Sequence, residues 1–147
     1  MLPEEIEIIN AELKARSEKD PSLKLLRTIP GCGAILAAMI IAEIKDINRF
    51  RSSSALARYT GVAPRQHSSS TKAKKYTDRR GNRKLNYALF QLAVSQTQLR
   101  KTKQGSAYYQ KKLSKGKTKL HAIRCLKRRL VNIIYYMLKY QKSFTIE

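Results

Sequence analysis

Three consecutive serines stand within the most polar stretch of the chain. Ser68, Ser69 and Ser70 lie in residues 65–80, which contain almost no apolar side chain. A serine hydroxyl attacks a phosphodiester only when one group removes its proton and another neutralises the charge that develops around phosphorus. The three serines are therefore candidate nucleophiles for phosphoryl transfer, provided that neighbouring residues can fill those two roles.

Basic side chains lie on both sides of the serines. His67 could accept a proton, although a histidine in a basic surface loop is more often solvated or in contact with phosphate. The cations that could hold a nucleic-acid phosphate are Arg65, Lys72, Lys74, Lys75, Arg79, Arg80 and, just beyond the segment, Arg83. Residue types alone predict an exposed basic loop or a small hairpin here, and they do not distinguish a nucleophile from a solvated serine.

A glycine-containing turn forms a second candidate site. Pro30-Gly31-Cys32-Gly33 separates apolar stretches at residues 23–29 and 34–44, which predicts a helix-hairpin-helix with a buried second helix. Gly31 and Gly33 would permit a tight turn that presents backbone N–H groups at the positive end of that helix. Such a turn binds one phosphate without reading sequence. The alternative is a plain turn whose glycines serve close packing, but the P-G-x-G spacing and the downstream charge favour phosphate binding.

Charge is distributed unevenly along the chain, whose net charge is +21. Residues 1–46 carry six basic and eight acidic residues, whereas residues 47–147 carry 25 basic residues against Asp78 and Glu147. Phosphates that neutralise such a surface release condensed counterions, which favours binding. A surface kept for solubility usually mixes the two signs. The expected partner is therefore a nucleic-acid backbone.

Apolar periodicity predicts an all-α fold, a compact helical domain with a long C-terminal helix. Ser52, Ser53 and Ser54 offer N-caps for a short helix that Gly61 ends, and Ser106 is expected to cap another that stops at Gly116. The two strongest helical patterns fit a 3.6-residue period, and their apolar positions are Leu85, Ala88, Leu89, Leu92 and Ala93, then Ile123, Leu126, Leu130, Ile133 or Ile134, and Met137.

Several functional classes are disfavoured by the same sequence. The cysteines and histidines lack the spacing of a structural zinc site, and Cys32 and Cys125 are expected to act as small buried hydrophobes. No apolar run reaches the length of a membrane span. The acidic N-terminus does not resemble a secretory signal. We therefore expect no metal site and a cytoplasmic protein without membrane contact.

The opening segment predicts a short amphipathic helix. Its periodicity is lost from Lys14 to Asp20, and Pro21-Ser22 are expected to stop it and to cap the next helix. Residues 1–22 thus look like the end of a longer helical connector.

Five motifs occur in order between about Leu23 and Leu138. They read L-x-x-I-P-G-x-G-x-x-x-A, A-E-I-x-D-I-x-R-F, L-A-x-Y-x-G-x-x-P, S-S and G-N-x-x-L. In this order they resemble the C-terminal domain of the Piv-invertase-related insertion-sequence transposases, a class also described as bridge-RNA-guided recombinases. The resemblance assigns residues 1–22 to a coiled-coil connector and residues 23–147 to the transposase C-terminal domain.

The resemblance also implies a chemistry. The catalytic serine of the family lies five residues after the proline, which is Ser69 here, with Ser68 and Ser70 as rivals. The family usually has glycine where this chain has Ser70, and often has arginine where this chain has Asn86. Implied partners are DNA, a structured guide RNA and further copies of the protein. A divalent metal would belong to an N-terminal nuclease-like domain not expected in this chain, so no cofactor is expected here and the chain should bind DNA without cutting it.

Two alternatives remain open at this stage. The chain could be a non-catalytic nucleic-acid-binding module, either an architectural protein or a decayed transposon remnant, or it could be an RNA-binding protein of ribosomal type. Tyr76, Tyr108 and Tyr109 are interleaved with lysines and could stack on unpaired bases. The same tyrosines could equally pack beneath the basic surface.

Overall fold

The computed structural model describes residues 2–62, 81–98 and 103–145. Every regular element in these ranges is helical, which confirms the predicted all-α fold. The helices are α1 (Pro3–Lys19), α2 (Pro21–Leu26), α3 (Ala34–Ile44), α4 (Ser53–Thr60), α5 (Arg83–Gln98), α6 (Lys103–Ser114) and α7 (Lys119–Tyr140), with a 3-10 turn at Ile47–Arg49. Each described helix is too short or too polar to cross a bilayer.

Helices α5 and α7 form the centre of the molecule. They pack against each other, α3 covers α5, and α4 and α6 pack on α7. The apolar positions predicted for α5 are all buried, and on α7 the buried positions include Ile123, Leu126, Leu130, Ile134 and Met137. Full burial of one such side chain contributes about 1.5–3 kcal/mol, so these two stripes stabilise the fold substantially.

Local signals set both ends of α4 as expected, and a further local signal starts α7. Ser52 Oγ accepts a hydrogen bond from Ala55 N–H at 3.2 Å and so caps α4. Gly61 ends that helix with φ 78°, a left-handed conformation that glycine adopts without strain. Thr118 caps α7 by accepting from His121 N–H at 3.2 Å.

The first helix ends where it was expected to, whereas the cap of the second differs from the prediction. Helix α1 stays helical across residues 14–19, although the apolar periodicity is lost there, and it ends at Lys19, just before Pro21. Asp20, not Ser22, caps α2: its Oδ1 accepts from Ser22 N–H at 2.9 Å. Pro21 occupies the first helical position, where its missing N–H costs nothing.

Two further predictions were wrong in detail. Helix α6 begins at Lys103, so Ser106 lies inside the helix and does not cap it. Helix α3 is not buried all round: Ala37 and Ile40 face the core, whereas Ile35 is 45% exposed, because only one side of the helix packs on α5. Cys32 is buried as expected, and burial raises the pKa of its thiol to about 12.

Candidate nucleic-acid interface

The turn between α2 and α3 is held from one side by α5. Gly31 has φ 86° and reverses the chain. The carbonyl of Pro30 accepts from Gln96 Nε2 at 3.0 Å, and the carbonyl of Gly31 accepts from Ser95 Oγ at 3.3 Å. These bonds fix the carbonyl side of the turn against the protein.

Helix α6 supports this anchor. A Cβ atom added at Gly105 would lie 2.5 Å from Gln96 Oε1 and 2.9 Å from Gln96 Cβ. Only a glycine lets α6 approach this closely, which explains why Gly105 occurs inside a helix despite its low helical propensity. Gln96 is 4% exposed, so its position is set by packing on both sides.

The opposite side of the turn faces outward. Gly33 stands at the N-cap of α3 with no side-chain capping bond, and a Cβ atom added there would meet nothing within 4 Å. The first N–H groups of a helix have no intrahelical acceptor. The start of α3 therefore has backbone N–H groups that no capping side chain accepts from, and it has open space beside Gly33.

The residues that flank the serine segment are in direct contact with each other. A Cβ atom added at Gly81 would lie 2.5 Å from both Cα and N of Gly61. Asn82 N–H also donates to the Tyr59 carbonyl at 2.8 Å. We call residues 59–62 and 81–82 the loop base, because the chain leaves α4 and re-enters α5 at this one place.

Asn82 connects the loop base to α3. Its Oδ1 accepts from Leu85 N–H at 3.0 Å and so caps α5. Its Nδ2 donates to Glu43 Oε2 at 2.8 Å and to the Tyr59 hydroxyl at 3.1 Å. The Tyr59 hydroxyl in turn donates to the Glu43 carbonyl at 3.3 Å.

Sequence reasoning missed Glu43 as part of this site. The residue lies far upstream of the serines and was assigned only to a motif. Glu43 lies near the end of α3, and this places its carboxylate at the loop base. Ten helical residues separate it from Gly33, a rise of about 15 Å. The α2–α3 turn and the loop base therefore lie at opposite ends of one helix.

Most of the predicted site residues lie outside the described residues. These are Ser68, Ser69, Ser70, Arg65, His67, Lys72, Lys74, Lys75, Tyr76, Arg79 and Arg80. Arg83 is described and is exposed in the first turn of α5, where no acidic residue accompanies it. In the described ranges, no three histidine, cysteine or acidic side chains cluster as metal ligands would.

Asn86 stands on α5 beside a cation from α7. Its Oδ1 accepts from Lys127 Nζ at 2.7 Å. Burial lowers the pKa of Lys127, and nearby Arg124 lowers it further. Position 86 thus has a positive charge next to it, although its own side chain is neutral.

Two of the predicted stacking tyrosines pack against the core. Tyr108 and Tyr109 are half-buried there. The Arg129 guanidinium lies 4.8 Å from the centre of the Tyr108 ring, and Lys112 Nζ lies 5.4 Å from it. The packing alternative therefore describes both side chains.

Comparison with known proteins identifies the family. Residues 23–110, more than half of the chain, match the model of the transposase IS116/IS110/IS902 family. The chain belongs to this family. The expected relationship to insertion-sequence transposases is confirmed at this level, and the match includes the α2–α3 turn, the serine segment and α5.

Individual members of the transposase IS116/IS110/IS902 family and related proteins match over most of the chain. A 44.8 kDa protein of insertion element IS116 from Streptomyces clavuligerus is 28% identical over 98% of this chain and 36% of its own length. A 43.6 kDa protein of insertion element IS110 from Streptomyces coelicolor is 30% identical over 89% and 32%. A pilin gene-inverting protein from Moraxella bovis is 32% identical over 82% and 38%. The chain spans about a third of the length of these relatives.

Proposed function

We propose that this chain is the DNA-binding C-terminal domain of an insertion-sequence transposase or recombinase and that Ser69 is its nucleophile in DNA transposition. The observation that carries the proposal is the family match over residues 23–110, because it includes the serines together with both ends of the loop base. The net charge of +21 supports a polyanionic substrate.

The hairpin turn would act as a clamp on one DNA phosphate. Its carbonyls are held by Ser95 and Gln96, so they do not compete with the outward N–H groups at the start of α3. The open space at Gly33 allows a phosphate oxygen to approach the backbone. This contact would position DNA without reading its sequence.

The start of α5 would bind a second phosphate. Arg83 and Lys84 occupy its first turn, where a cation is unfavourable because the N-terminal end of a helix already carries partial positive charge. A bound phosphate would remove that conflict and would lie beside the loop base. The cations of the serine segment, Arg65, Lys72, Lys74, Lys75, Arg79 and Arg80, would extend the same surface.

In the proposed reaction, Ser69 Oγ forms a bond to phosphorus while a strand P–O bond breaks. The serine proton leaves to a base, for which His67 is available in the sequence, and the departing strand oxygen takes up a proton. Arginine and lysine side chains would stabilise the charge on the phosphoryl oxygens. Ser68 and Ser70 are the alternative nucleophiles.

Residues 1–22 would serve as the helical connector and residues 23–147 as the catalytic C-terminal domain. The chain spans about a third of the length of its relatives. Transposition would also require a divalent metal held by a nuclease-like domain, a structured guide RNA and assembly into a homo-oligomer, and we assign the metal-binding domain to another part of a full-length protein. Alone, the chain would bind DNA without cutting it.

The phosphate clamp is tested with a matched pair of variants at Gly33. Gly33→Glu places a carboxylate in front of the α3 amides, and Gly33→Gln places a neutral side chain of the same size there. Neither should disturb the fold, since the site is open and the backbone is extended. We expect Gly33→Glu to weaken duplex DNA binding at least about fivefold more than Gly33→Gln. The glutamate carboxylate would compete with the phosphate for the α3 N–H groups, and its charged hydrogen bonds are stronger than those of a neutral glutamine.

The control for net charge is Ile8→Glu on α1, at a position that is 64% exposed. Binding is measured by fluorescence anisotropy over a salt series. Equal losses in Gly33→Glu and Ile8→Glu would mean that only total charge matters and that the hairpin holds no phosphate.

The nucleophile is tested by covalent capture. The metal-binding domain of a relative is supplied in trans with DNA and guide RNA, and protein-DNA adducts are separated under denaturing conditions. Ser69→Ala should abolish the adduct, whereas Ser68→Ala and Ser70→Ala should retain it. An adduct lost only in one of the latter variants would move the assignment to that serine, and DNA binding without any adduct would favour a non-catalytic binding module.

A further inference from the structure

An open groove of about 520 Å³ lies between the last turns of α7 and the tail that follows it. Its walls include Arg129, Tyr136 and Tyr140 on the helix and Lys142 and Phe144 on the tail. We call it the tyrosine groove. Its volume falls within the range of about 300–1,000 Å³ that is usual for ligand sites.

The tail that forms one wall is fixed in place. Gln141 reverses the chain with φ 53°, and Lys142 N–H donates to the Met137 carbonyl at 3.0 Å. Phe144 N–H then donates to Thr28 Oγ1 at 2.8 Å, which ties the tail to the hairpin turn. The groove is therefore preformed, and its tail wall contacts the beginning of the turn between α2 and α3.

Two parallel tyrosine rings line the groove. The rings of Tyr136 and Tyr140 lie one helical turn apart, with centroids 6.0 Å apart and planes within 7° of each other. Their side chains are 53% and 61% exposed. Tyr135 is buried and meets Tyr136 edge-on at 5.5 Å, so the first ring is oriented before any ligand arrives.

The charge of the groove is positive. Arg129 and Lys142 line it, and no acidic side chain is found among its described lining residues. The Arg129 guanidinium rests on the Tyr108 ring, which holds it near the groove at little cost in side-chain entropy. Exposed aromatic rings beside basic side chains are the arrangement with which proteins bind unpaired nucleotides, by base stacking and by contact with the backbone.

We propose that the tyrosine groove binds an unpaired stretch of nucleic acid, with a base stacked on Tyr136 or Tyr140 and phosphates at Arg129 and Lys142. A base in a duplex has both faces covered by its neighbours and cannot use these rings. A second copy that docked through this same groove would meet like charge, because Arg129 and Lys142 line the groove in both copies. The site is additional to the proposed duplex contacts at Gly33 and Arg83.

The test uses the intact chain and labelled single strands of about 12 nucleotides, within the range that single-strand-binding proteins cover. One arm is oligodeoxyuridine, one is oligouridine of equal length, so that only the sugar differs, and a third is a blunt DNA duplex. Tyr136→Leu/Tyr140→Leu keeps apolar bulk but removes the rings, and Tyr136→Phe/Tyr140→Phe keeps the rings. Tyr87→Leu is the control, because Tyr87 is 57% exposed on α5, away from the groove.

We expect the double leucine variant to bind single strands about 5- to 160-fold more weakly, which is the range for the loss of one stacked base. The affinity of this variant for duplex DNA should not change, because duplex bases cannot stack on the rings. The salt dependence of its single-strand binding should also stay the same, because tyrosines neutralise no phosphate. The phenylalanine variant and Tyr87→Leu should bind like the parent. Arg129→Ala/Lys142→Ala should reduce the single-strand salt slope by about 1.4, or 0.7 for each phosphate contact. The single-strand arm with the larger loss identifies the sugar that the groove prefers.

Three results would overturn the proposal. Unchanged single-strand affinity in the double leucine variant would show that the rings bind no base. An equal loss for duplex and single strands would show a general defect. Loss of self-association by sedimentation, with single-strand affinity unchanged, would make this face a contact between copies of the chain. Failure of the groove would leave duplex binding at the hairpin intact, so the two proposals are tested separately.

Discussion

The loop base depends on Asn82, and replacing this residue tests how the base is held. Asn82→Ala removes the cap of α5, which costs about 1 kcal/mol. It also removes both Nδ2 donations, to the Glu43 carboxylate and to the Tyr59 hydroxyl. A hydrogen bond to a charged group is worth about 1.5–3 kcal/mol, but the site is half-buried and water can replace part of the bond, so about 1 kcal/mol is expected.

The expected total is a loss of about 2 kcal/mol, or a fall of about 6 °C in Tm for a domain of this size. Asn82→Ser keeps a capping oxygen and should lose only about half as much. Asn82→Asp also keeps the cap but places a second carboxylate against Glu43. It should therefore be less stable than Asn82→Ser at neutral pH.

The assay is thermal unfolding followed by far-ultraviolet circular dichroism, with urea unfolding as a check. Glu43→Gln is added to the Asn82→Asp variant as the rescue, since a glutamine amide can donate to the new carboxylate. The double variant should melt above Asn82→Asp alone. If it does not, or if Asn82→Ser melts together with Asn82→Ala, the proposed division between capping and the contact to Glu43 is incorrect.

Three other substitutions test the packing. Gly81→Ala would force a Cβ atom to within 2.5 Å of backbone atoms and should lower the free energy of unfolding by about 3 kcal/mol or more. Gly33→Ala adds its Cβ in open space and should lower it by less than about 1 kcal/mol, and urea unfolding compares the two variants. Leu89→Ala should cost about 2–5 kcal/mol because Leu89 is 1% exposed, whereas Ile35→Ala on the surface should cost less than about 1 kcal/mol in the same assay. Burial raises the pKa of Cys32 from 9.0 to about 12, so the folded state retains a proton that the unfolded state loses: this stabilisation is fully present below pH 9.0 and declines toward pH 12. The stability difference between the parent and Cys32→Ala should therefore shrink by about 1–2 kcal/mol between about pH 8.5 and about pH 10.5, and a constant difference would contradict the assigned burial effect.

Short-range patterns in the sequence predicted much of the fold. The stripe of α5 and the seam of α7 follow from a 3.6-residue period, because a helix must bury its apolar face. The ends of α4 follow from a serine and a glycine, since both act within a few residues of chain. The same reasoning failed at Ser106, because α6 begins three residues earlier, at Lys103, and packs on α5 and α7.

For the candidate site too, some residues could be predicted from local sequence and others could not. The hairpin glycines, Arg83 and the serine motif could be read from local spacing and charge, although the roles of all three remain predictions. Glu43 and Gln96 could not be assigned to the loop base and the hairpin, because their partners lie 39 and 66 residues away in the sequence. Tyr136 and Tyr140 are four residues apart, but whether their rings face the core or solvent depends on how α7 is rotated against its neighbours.

By itself, the sequence determined the helical class, the positive charge and the order of the family motifs, because composition, periodicity and nearest-neighbour chemistry are properties of the chain before it folds. The tertiary structure alone decided that Gly61 and Gly81 touch, that Glu43 reaches the loop base and that the tail wall of a groove with two parallel tyrosines contacts the α2–α3 turn. Each of these depends on distances between segments remote in sequence, which are fixed only when the helices pack around α5 and α7.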